Sequence, residues 1–179
     1  MNVVIIQYNA GNIRSVDFAL QRLGIRAGIT DNFDEIRAAD RVIFPGVGEA
    51  SSAMDYLKAR KLDQLIVDLK QPVLGICLGM QLMCRESEEN NTECLGIFDL
   101  KVKRFPEAGF KIPQIGWNNI YNLSSPLFKG IAENEFMYLV HGYYVEKSPL
   151  SIASADYILE YSTAICKDNF YAVQFHPEK

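Results

Sequence analysis

Cys77 stands at the centre of Gly75-Ile-Cys77-Leu-Gly79, directly after Pro72-Val-Leu. Glycines two positions to either side of a nucleophile let a strand and a helix approach closely around a sharp turn, the arrangement of a nucleophile elbow. Such a turn presents the sulfur at the carboxyl end of a strand and at a helix N-terminus, where the reactive thiolate is favoured. It also aims the N–H of Leu78 at an incoming carbonyl oxygen. A cysteine nucleophile needs a base, and the chain holds two histidines, His141 and His176. His176 lies in Gln174-Phe-His-Pro-Glu178. Residues two apart in an extended segment project to the same side, and Pro177 restricts its own backbone and that of His176. Glu178 can therefore accept a hydrogen bond from one imidazole nitrogen and leave the other to Cys77. His141 has no acid at a comparable offset. A core cysteine in a glycine-containing turn would explain the first motif, and a strand-end histidine beside a surface glutamate the second. Their coexistence favours a Cys77–His176–Glu178 triad.

A third segment, Phe44-Pro45-Gly46-Val47-Gly48, follows a predicted strand and lies at the same sheet edge. Gly46 and Gly48 leave its backbone free to rearrange. The N–H of Val47 or of a neighbour such as Gly46 can then join Leu78 as an oxyanion donor, a contact worth about 3–4 kcal/mol of transition-state stabilisation. GxGxxG and Walker A patterns are absent, so dinucleotide binding and phosphoryl transfer from ATP are unsupported. The four cysteines at 77, 84, 94 and 166 include no CxxC pair and offer no zinc-ligand spacing. Cys84, seven residues beyond Cys77, is expected two helical turns along and facing the core.

The elements that must hold these residues alternate. Val3–Tyr8, Ile25–Thr30, Arg41–Phe44 and Val73–Ile76 read as strands. Helices are expected after Asn12, which can cap one (Ile13, Val16, Leu20 and Leu23 at helical spacing), over Glu49–Ala59, and around Leu62, Leu65, Ile66 and Leu69. This alternation predicts an α/β domain with a mostly parallel, flavodoxin-like central sheet and helices on both faces. The second half offers short β candidates, Leu95–Arg104, Gln114–Ile120, Glu135–Val140, Ile152–Asp156, Thr163–Lys167 and Tyr171–Gln174. These are expected as partly antiparallel additions to that sheet or as a small second sheet. The acidic run Glu86–Asn91 reads as a solvated helix end or loop.

Composition bounds the rest. The chain has 179 residues, 49% hydrophobic and 22% charged, with a net charge of −4. That is ordinary for one globular domain, and the acidic balance gives no footprint for nucleic acid or anionic membrane. The longest apolar runs fall well short of the ~20 residues of a membrane span. The N-terminal stretch lacks the features of a secretory leader, so reduced thiols and a cytoplasmic location are expected.

Taken together, Tyr8-Asn-Ala-Gly-Asn12, Pro45-Gly-Val-Gly48, Gly75-Ile-Cys-Leu-Gly-Met-Gln81, Gly116-Trp-Asn118, Val140-His141 with Tyr143-Tyr144, and Gln174-Phe-His-Pro-Glu-Lys179 carry a resemblance over nearly the whole chain. The sequence resembles the triad (class I) glutamine amidotransferases and, among them, the glutaminase-subunit family of imidazole glycerol phosphate synthase. The resemblance implies hydrolysis of glutamine through a thioester on Cys77, with His176 as base and then acid and Glu178 orienting it. It implies oxyanion donors at Leu78 and in the Pro45–Gly48 loop, and glutamine contacts at Gly48, Gln81, Glu89, Gly142 and Tyr143. It implies no cofactor. The implied partner is the (β/α)8 cyclase subunit HisF, bound as a heterodimer through Asn12, Trp117, Tyr138 and Lys179 and receiving ammonia for histidine biosynthesis. A paralogous glutaminase serving another acceptor, such as an amidino-sugar pathway, would carry the same motifs. Gln114 stands where the family usually has His, and Gly142 where it usually has Ser or Thr. Relatives continue past Lys179 into a closing helix, so residues 1–179 read as one amidotransferase domain without it.

Overall fold

The computed structural model describes residues 1–9 and 11–179. Its first half runs β1 (Val3–Ile6), α1 (Ile13–Arg22), β2 (Ala27–Thr30), α2 (Phe33–Arg37), β3 (Arg41–Gly46), α3 (Ala50–Ala59), α4 (Leu62–Val67), β4 (Val73–Cys77) and α5 (Leu78–Met83). The second half is almost all strand: β5 (Cys84–Ser87), β6 (Thr92–Glu93), β7 (Phe98–Arg104), β8 (Gln114–Asn119), β9 (Phe136–His141), β10 (Tyr143–Val145), β11 (Ser151–Tyr157), β12 (Leu159–Lys167) and β13 (Phe170–Val173). No helix is long and apolar enough to cross a membrane among the described residues.

One sheet of eleven strands runs β2-β1-β3-β4-β13-β12-β10-β7-β5-β6, with β11 pairing β12. Its first five strands, β2 to β13, are parallel, and antiparallel pairing begins where β12 meets β13. Strands β8 and β9 form a separate antiparallel ribbon. Both outcomes foreseen for the second half therefore occur together. β1 and the apolar part of β3 are buried on both faces, which is why they read as unbroken apolar runs rather than alternating ones. Val4 and Ile6 enter the core formed with α3, α4 and α5, whereas Val3 and Ile5 enter the core beneath α1. Leu62, Leu65 and Ile66 anchor α4, each fully buried side chain contributing about 1.5–3 kcal/mol.

Three expectations are corrected. The helix after Cys77 ends at Met83, and Cys84 opens β5 in an extended conformation, so it lies in the core but on a strand. The acidic run is the end of β5 followed by a 3-10 turn over Glu89–Asn91. Asn12 occupies the N-cap position of α1, but its side chain caps nothing there and is engaged elsewhere.

Candidate active site

The carboxyl ends of the adjacent parallel strands β3, β4 and β13 meet at one sheet edge, where βα connections can build a site. β4 delivers Cys77 at φ 53°, ψ −108°, a strained backbone for a residue with a side chain. The strain buys a direct switch from strand to helix. A Cβ on Gly79 would run into the Phe44 carbonyl oxygen, and one on Gly75 would lie 2.9 Å from Met83 Sδ and 3.1 Å from the Gly79 backbone. Both motif glycines are thus required by the close approach of β3, β4 and α5. Gly46 has the same explanation: a side chain there would collide with the Tyr8 hydroxyl, itself bonded to the Pro45 carbonyl at 2.6 Å.

Beyond β13 the chain bends at Gln174 and Phe175 and turns at Pro177 and Glu178, the Lys179 N–H donating to the His176 carbonyl at 3.3 Å, so a turn rather than the expected extended segment brings Glu178 back to His176. Its Nδ1 lies 2.8 Å from Glu178 Oε1, with both side chains buried. The Asn12 amide donates to the same carboxylate oxygen, and Arg22 Nη2 donates to the Glu178 carbonyl at 3.1 Å. The sequence-expected interface residue Asn12 therefore braces the triad. With Nδ1 committed to Glu178, Nε2 is the nitrogen left for Cys77. It makes no directed hydrogen bond, yet the sulfur is close enough to act on the charge of the ring. Burial alone would push the imidazole down; Cys77 and Glu178 outweigh it and raise His176 to about 9. Burial likewise works against the Glu178 carboxylate, but hydrogen bonds from His176, its own backbone and Asn12 hold it below its ordinary value.

His141 is differently placed. Its Nδ1 lies 2.7 Å from the Tyr143 carbonyl and its Nε2 3.2 Å from the Tyr161 hydroxyl. A carbonyl only accepts, so Nδ1 carries the hydrogen. Burial lowers the ring to about 4, which keeps it neutral near pH 7. Both nitrogens are engaged, which leaves none for Cys77.

Cys77 opens into a cavity of about 480 Å³, within the usual range for small-molecule sites. Gly48, Gln81, Glu89, Gly142 and Tyr143 all line it, together with Val47 and Leu78. Gly46 does not line the cavity; it serves the packing behind it, so its expected oxyanion role is not carried by this geometry. Glu89 accepts the Ala50 N–H at 2.7 Å, which ties the 3-10 turn to the first turn of α3. Gln81 Nε2 donates to Gln174 Oε1 at 3.0 Å, and Gln174 Nε2 lies 3.7 Å from Cys77 Sγ. Gln174 is not among the residues expected from the sequence. Its place two residues before His176 is the signal in the sequence that marks it.

Both departures from the family pattern have a local account. A Cβ at Gly142 would meet Ile112 and Pro113 at 3.6 and 3.8 Å, ordinary contacts, so glycine is permitted there but not demanded. Gln114 is buried 2.9 Å from the Tyr161 hydroxyl, which also touches His141. It completes a polar cluster within the fold itself. Trp117 and Tyr138 are a cross-strand pair with rings 5.7 Å apart, and Lys179 Nζ sits 6.0 Å from the Tyr138 ring. These three gather at one exposed face. The Tyr138 carbonyl accepts the His176 N–H at 2.9 Å, which joins that face to the triad.

The family profile described as glutamine amidotransferase class-I matches residues 4–179. The chain is 59% identical over 181 residues to the imidazole glycerol phosphate synthase subunit HisH of Bacteroides fragilis, covering 100% of this chain and 92% of that protein. It is 46% identical over 180 residues to the subunit of the same name from Haemophilus influenzae, covering 100% and 90%. Among solved structures, a glutamine amidotransferase from Thermotoga maritima aligns with a TM-score of 0.70 at 17% identity, covering 99% of this chain and 76% of that one. PurLQS from Thermotoga maritima aligns at 0.73 and 15% identity, covering 99% and 87%. These two structural likenesses concern the fold.

Proposed function

The chain belongs to the class-I glutamine amidotransferase family, and from this premise we propose that it hydrolyses L-glutamine to L-glutamate and ammonia as the glutaminase subunit of imidazole glycerol phosphate synthase. The observation that carries the chemistry is Cys77 on a strained turn, facing a cavity of about 480 Å³, with the His176–Glu178 pair behind it.

The carboxamide carbon of glutamine lies against Cys77 Sγ. The thiol proton rests on His176 Nε2, the sulfur attacks as the thiolate, and the carbonyl oxygen becomes an oxyanion facing the N–H of Leu78 and the Val47 loop. Collapse of this intermediate breaks the C–N bond; His176 returns the proton to the leaving nitrogen, which departs as ammonia, and a thioester remains on Cys77. His176 then activates a water that attacks the thioester carbon, releasing glutamate and restoring the thiol. Glu178 fixes the proton on Nδ1 and stabilises the imidazolium formed in each half, and Asn12 holds Glu178 in place.

Ammonia passes to the (β/α)8 cyclase subunit HisF in a cytoplasmic heterodimer, where it enters ring closure to imidazole glycerol phosphate with release of AICAR in histidine biosynthesis. Support for the docking face comes from exposed Trp117 with Tyr138 and Lys179, linked through the Tyr138 carbonyl to His176.

The test is co-expression with the cyclase subunit, followed by assays of glutamate and imidazole glycerol phosphate. Product from glutamine is expected, His176→Ala should lower glutamine turnover by about 10³-fold or more, and His141→Ala should retain turnover. Glu178→Gln should lie between them. A more severe loss in His141→Ala would overturn the base assignment, and failure to form product from glutamine would overturn the acceptor.

A further inference from the structure

On the core side of the Cys77 sulfur, two side-chain amides stand in sequence. Gln174 follows β13, is fully buried and does not line the cavity. Its backbone N–H donates to the Thr163 carbonyl of β12 at 2.8 Å, which fixes the point from which the side chain leaves. Gln81, on α5, is buried beside it.

The two ends of a side-chain amide differ in chemistry: the nitrogen donates and the oxygen accepts. Here a backbone group decides which end goes where. The Tyr143 carbonyl only accepts, so the nitrogen of Gln81, 3.3 Å away, must face it. The second hydrogen of the same nitrogen meets Gln174 Oε1 at 3.0 Å. With its oxygen engaged, Gln174 turns its nitrogen to Cys77 Sγ at 3.7 Å. Turning over either amide would set oxygen against oxygen or nitrogen against nitrogen, so the orientation imposed at Tyr143 reaches the sulfur through both.

The sulfur therefore lies between opposite influences. The Val140 carbonyl, 4.0 Å away, accepts from an S–H and favours the thiol. An amide N–H donates to sulfur and favours the thiolate. The other titratable groups near the sulfur are already committed. Tyr8 donates its hydroxyl to the Pro45 carbonyl and is kept protonated by burial, His141 has both nitrogens engaged, and His176 is paired with Glu178. We propose that Gln174 is a further catalytic residue of this site: its amide N–H donates to the Cys77 thiolate, holding the sulfur ionised beside the His176 imidazolium before attack and receiving it again when the thioester is cleaved. Gln81 acts through it as a positioning residue. The proposal rests on the glutaminase reading for the reaction it serves, but the charge on the sulfur precedes substrate, so it is testable without glutamine.

The experiment uses the complex with the cyclase and follows alkylation of Cys77 by iodoacetamide against pH, read by peptide mapping, for wild type, Gln174→Met and Gln81→Met. Methionine keeps the length of the side chain and removes the donor. In Gln174→Met the midpoint of the profile should rise by about one pH unit, a tenfold loss of thiolate at a given pH on the acid side, with the high-pH plateau retained. The acid limb of kcat/KM for glutamine should move with it. Gln81→Met, which leaves the Gln174 amide without the bond that orients it, should shift the midpoint in the same direction by less. In wild type, the side-chain amide protons of Gln174 should shift by NMR with the alkylation midpoint, a readout that needs no variant to fold. An unmoved midpoint in Gln174→Met, including one accompanied by the lowered plateau that lost packing gives, overturns the assignment, as do Gln174 amide protons that stay fixed across the profile. A complex that shows the expected profiles but releases no ammonia from glutamine instead overturns the glutaminase reading and leaves the contact to the sulfur standing.

Discussion

Cys77 differs from the other three cysteines in what its sulfur meets. Burial pushes the thiols of Cys84 and Cys94 up, the latter to about 12, and neither lines the cavity. Cys166 sits half-buried on β12, away from it. A glutamine analogue carrying an electrophile in place of the carboxamide should therefore label Cys77 alone, as read by peptide mapping; comparable labelling of a second cysteine contradicts the nucleophile assignment. The two histidines respond to their surroundings in opposite senses, and stability should register both. His141 falls from 6.5 to about 4 in the fold, so its contribution is present above pH 6.5 and is lost as pH falls towards 4. At 1.36 kcal/mol per unit this amounts to about 3 kcal/mol. His176 rises from 6.5 to about 9, so its contribution is present below pH 6.5 and is lost as pH rises through 9. Denaturant unfolding should show greatest stability near pH 6.5, and His141→Gln should flatten the acid limb while leaving the alkaline limb in place. An acid limb of unchanged slope in that variant would show that His141 titrates normally.

Between strands and helices, the glycines divide into those that transmit contact and those that do not, and substitution separates them. Gly79→Ala places a methyl group against the Phe44 carbonyl and should destabilise the fold by about 3 kcal/mol or more, since neither backbone can give way. Gly142→Ser has room and no positive φ to strain it, so its unfolding midpoint should match wild type within about 0.5 kcal/mol. Thermal or denaturant melts of the two variants decide both outcomes. The same distinction explains how far the elements are legible in the sequence. The spacing of Gly75 and Gly79 around Cys77 encodes a backbone contact, so the elbow can be read directly, as can the doubly buried runs in β1, β3 and β4. α5 reads too long because all six of its residues are buried, so no polar stripe marks where it stops. The five-residue α2 escapes the periodicity despite a clear local signal: Asn32 accepts the N–H groups of both Asp34 and Glu35. Asn12 looks like such a cap as well, but its partner is Glu178, 166 residues away, and no local pattern can reveal that choice.

At the scale of the whole molecule, the outer face and the reaction centre are joined by a short path. The β8–β9 ribbon exposes Ile115, Trp117 and Phe136, and three residues beyond Tyr138 the same β9 strand reaches His141 and the cavity wall. The Tyr138 carbonyl also holds the His176 N–H. A partner seated on this face therefore contacts elements that reach both the triad and the wall facing the Val47 loop. That loop is asymmetric: Gly46 is packed tightly against Tyr8, Leu78 and Gly79, whereas Gly48 stands in open space at φ 118°. One end is anchored and the other is free to take backbone angles that other residues resist, so the peptide at Val47 can settle in either of two orientations. In the proposed mechanism, only an orientation with its N–H turned into the cavity completes the oxyanion site with Leu78. A differential contact of about 1.4 kcal/mol shifts such an equilibrium tenfold, well within what an interface supplies. The isolated chain should accordingly turn over glutamine slowly, faster with the cyclase, and fastest when the cyclase also holds its nucleotide ligand. Gly48→Ala, which strains the free end without creating a clash, should blunt this activation while leaving the melting temperature within a few degrees of wild type. Glutaminase rates measured in the three states, alongside structures that resolve the Val47 peptide, test the mechanism directly. Full activity of the chain without its partner, or undiminished activation in Gly48→Ala, would exclude gating by this loop while leaving the Cys77–His176–Glu178 chemistry intact.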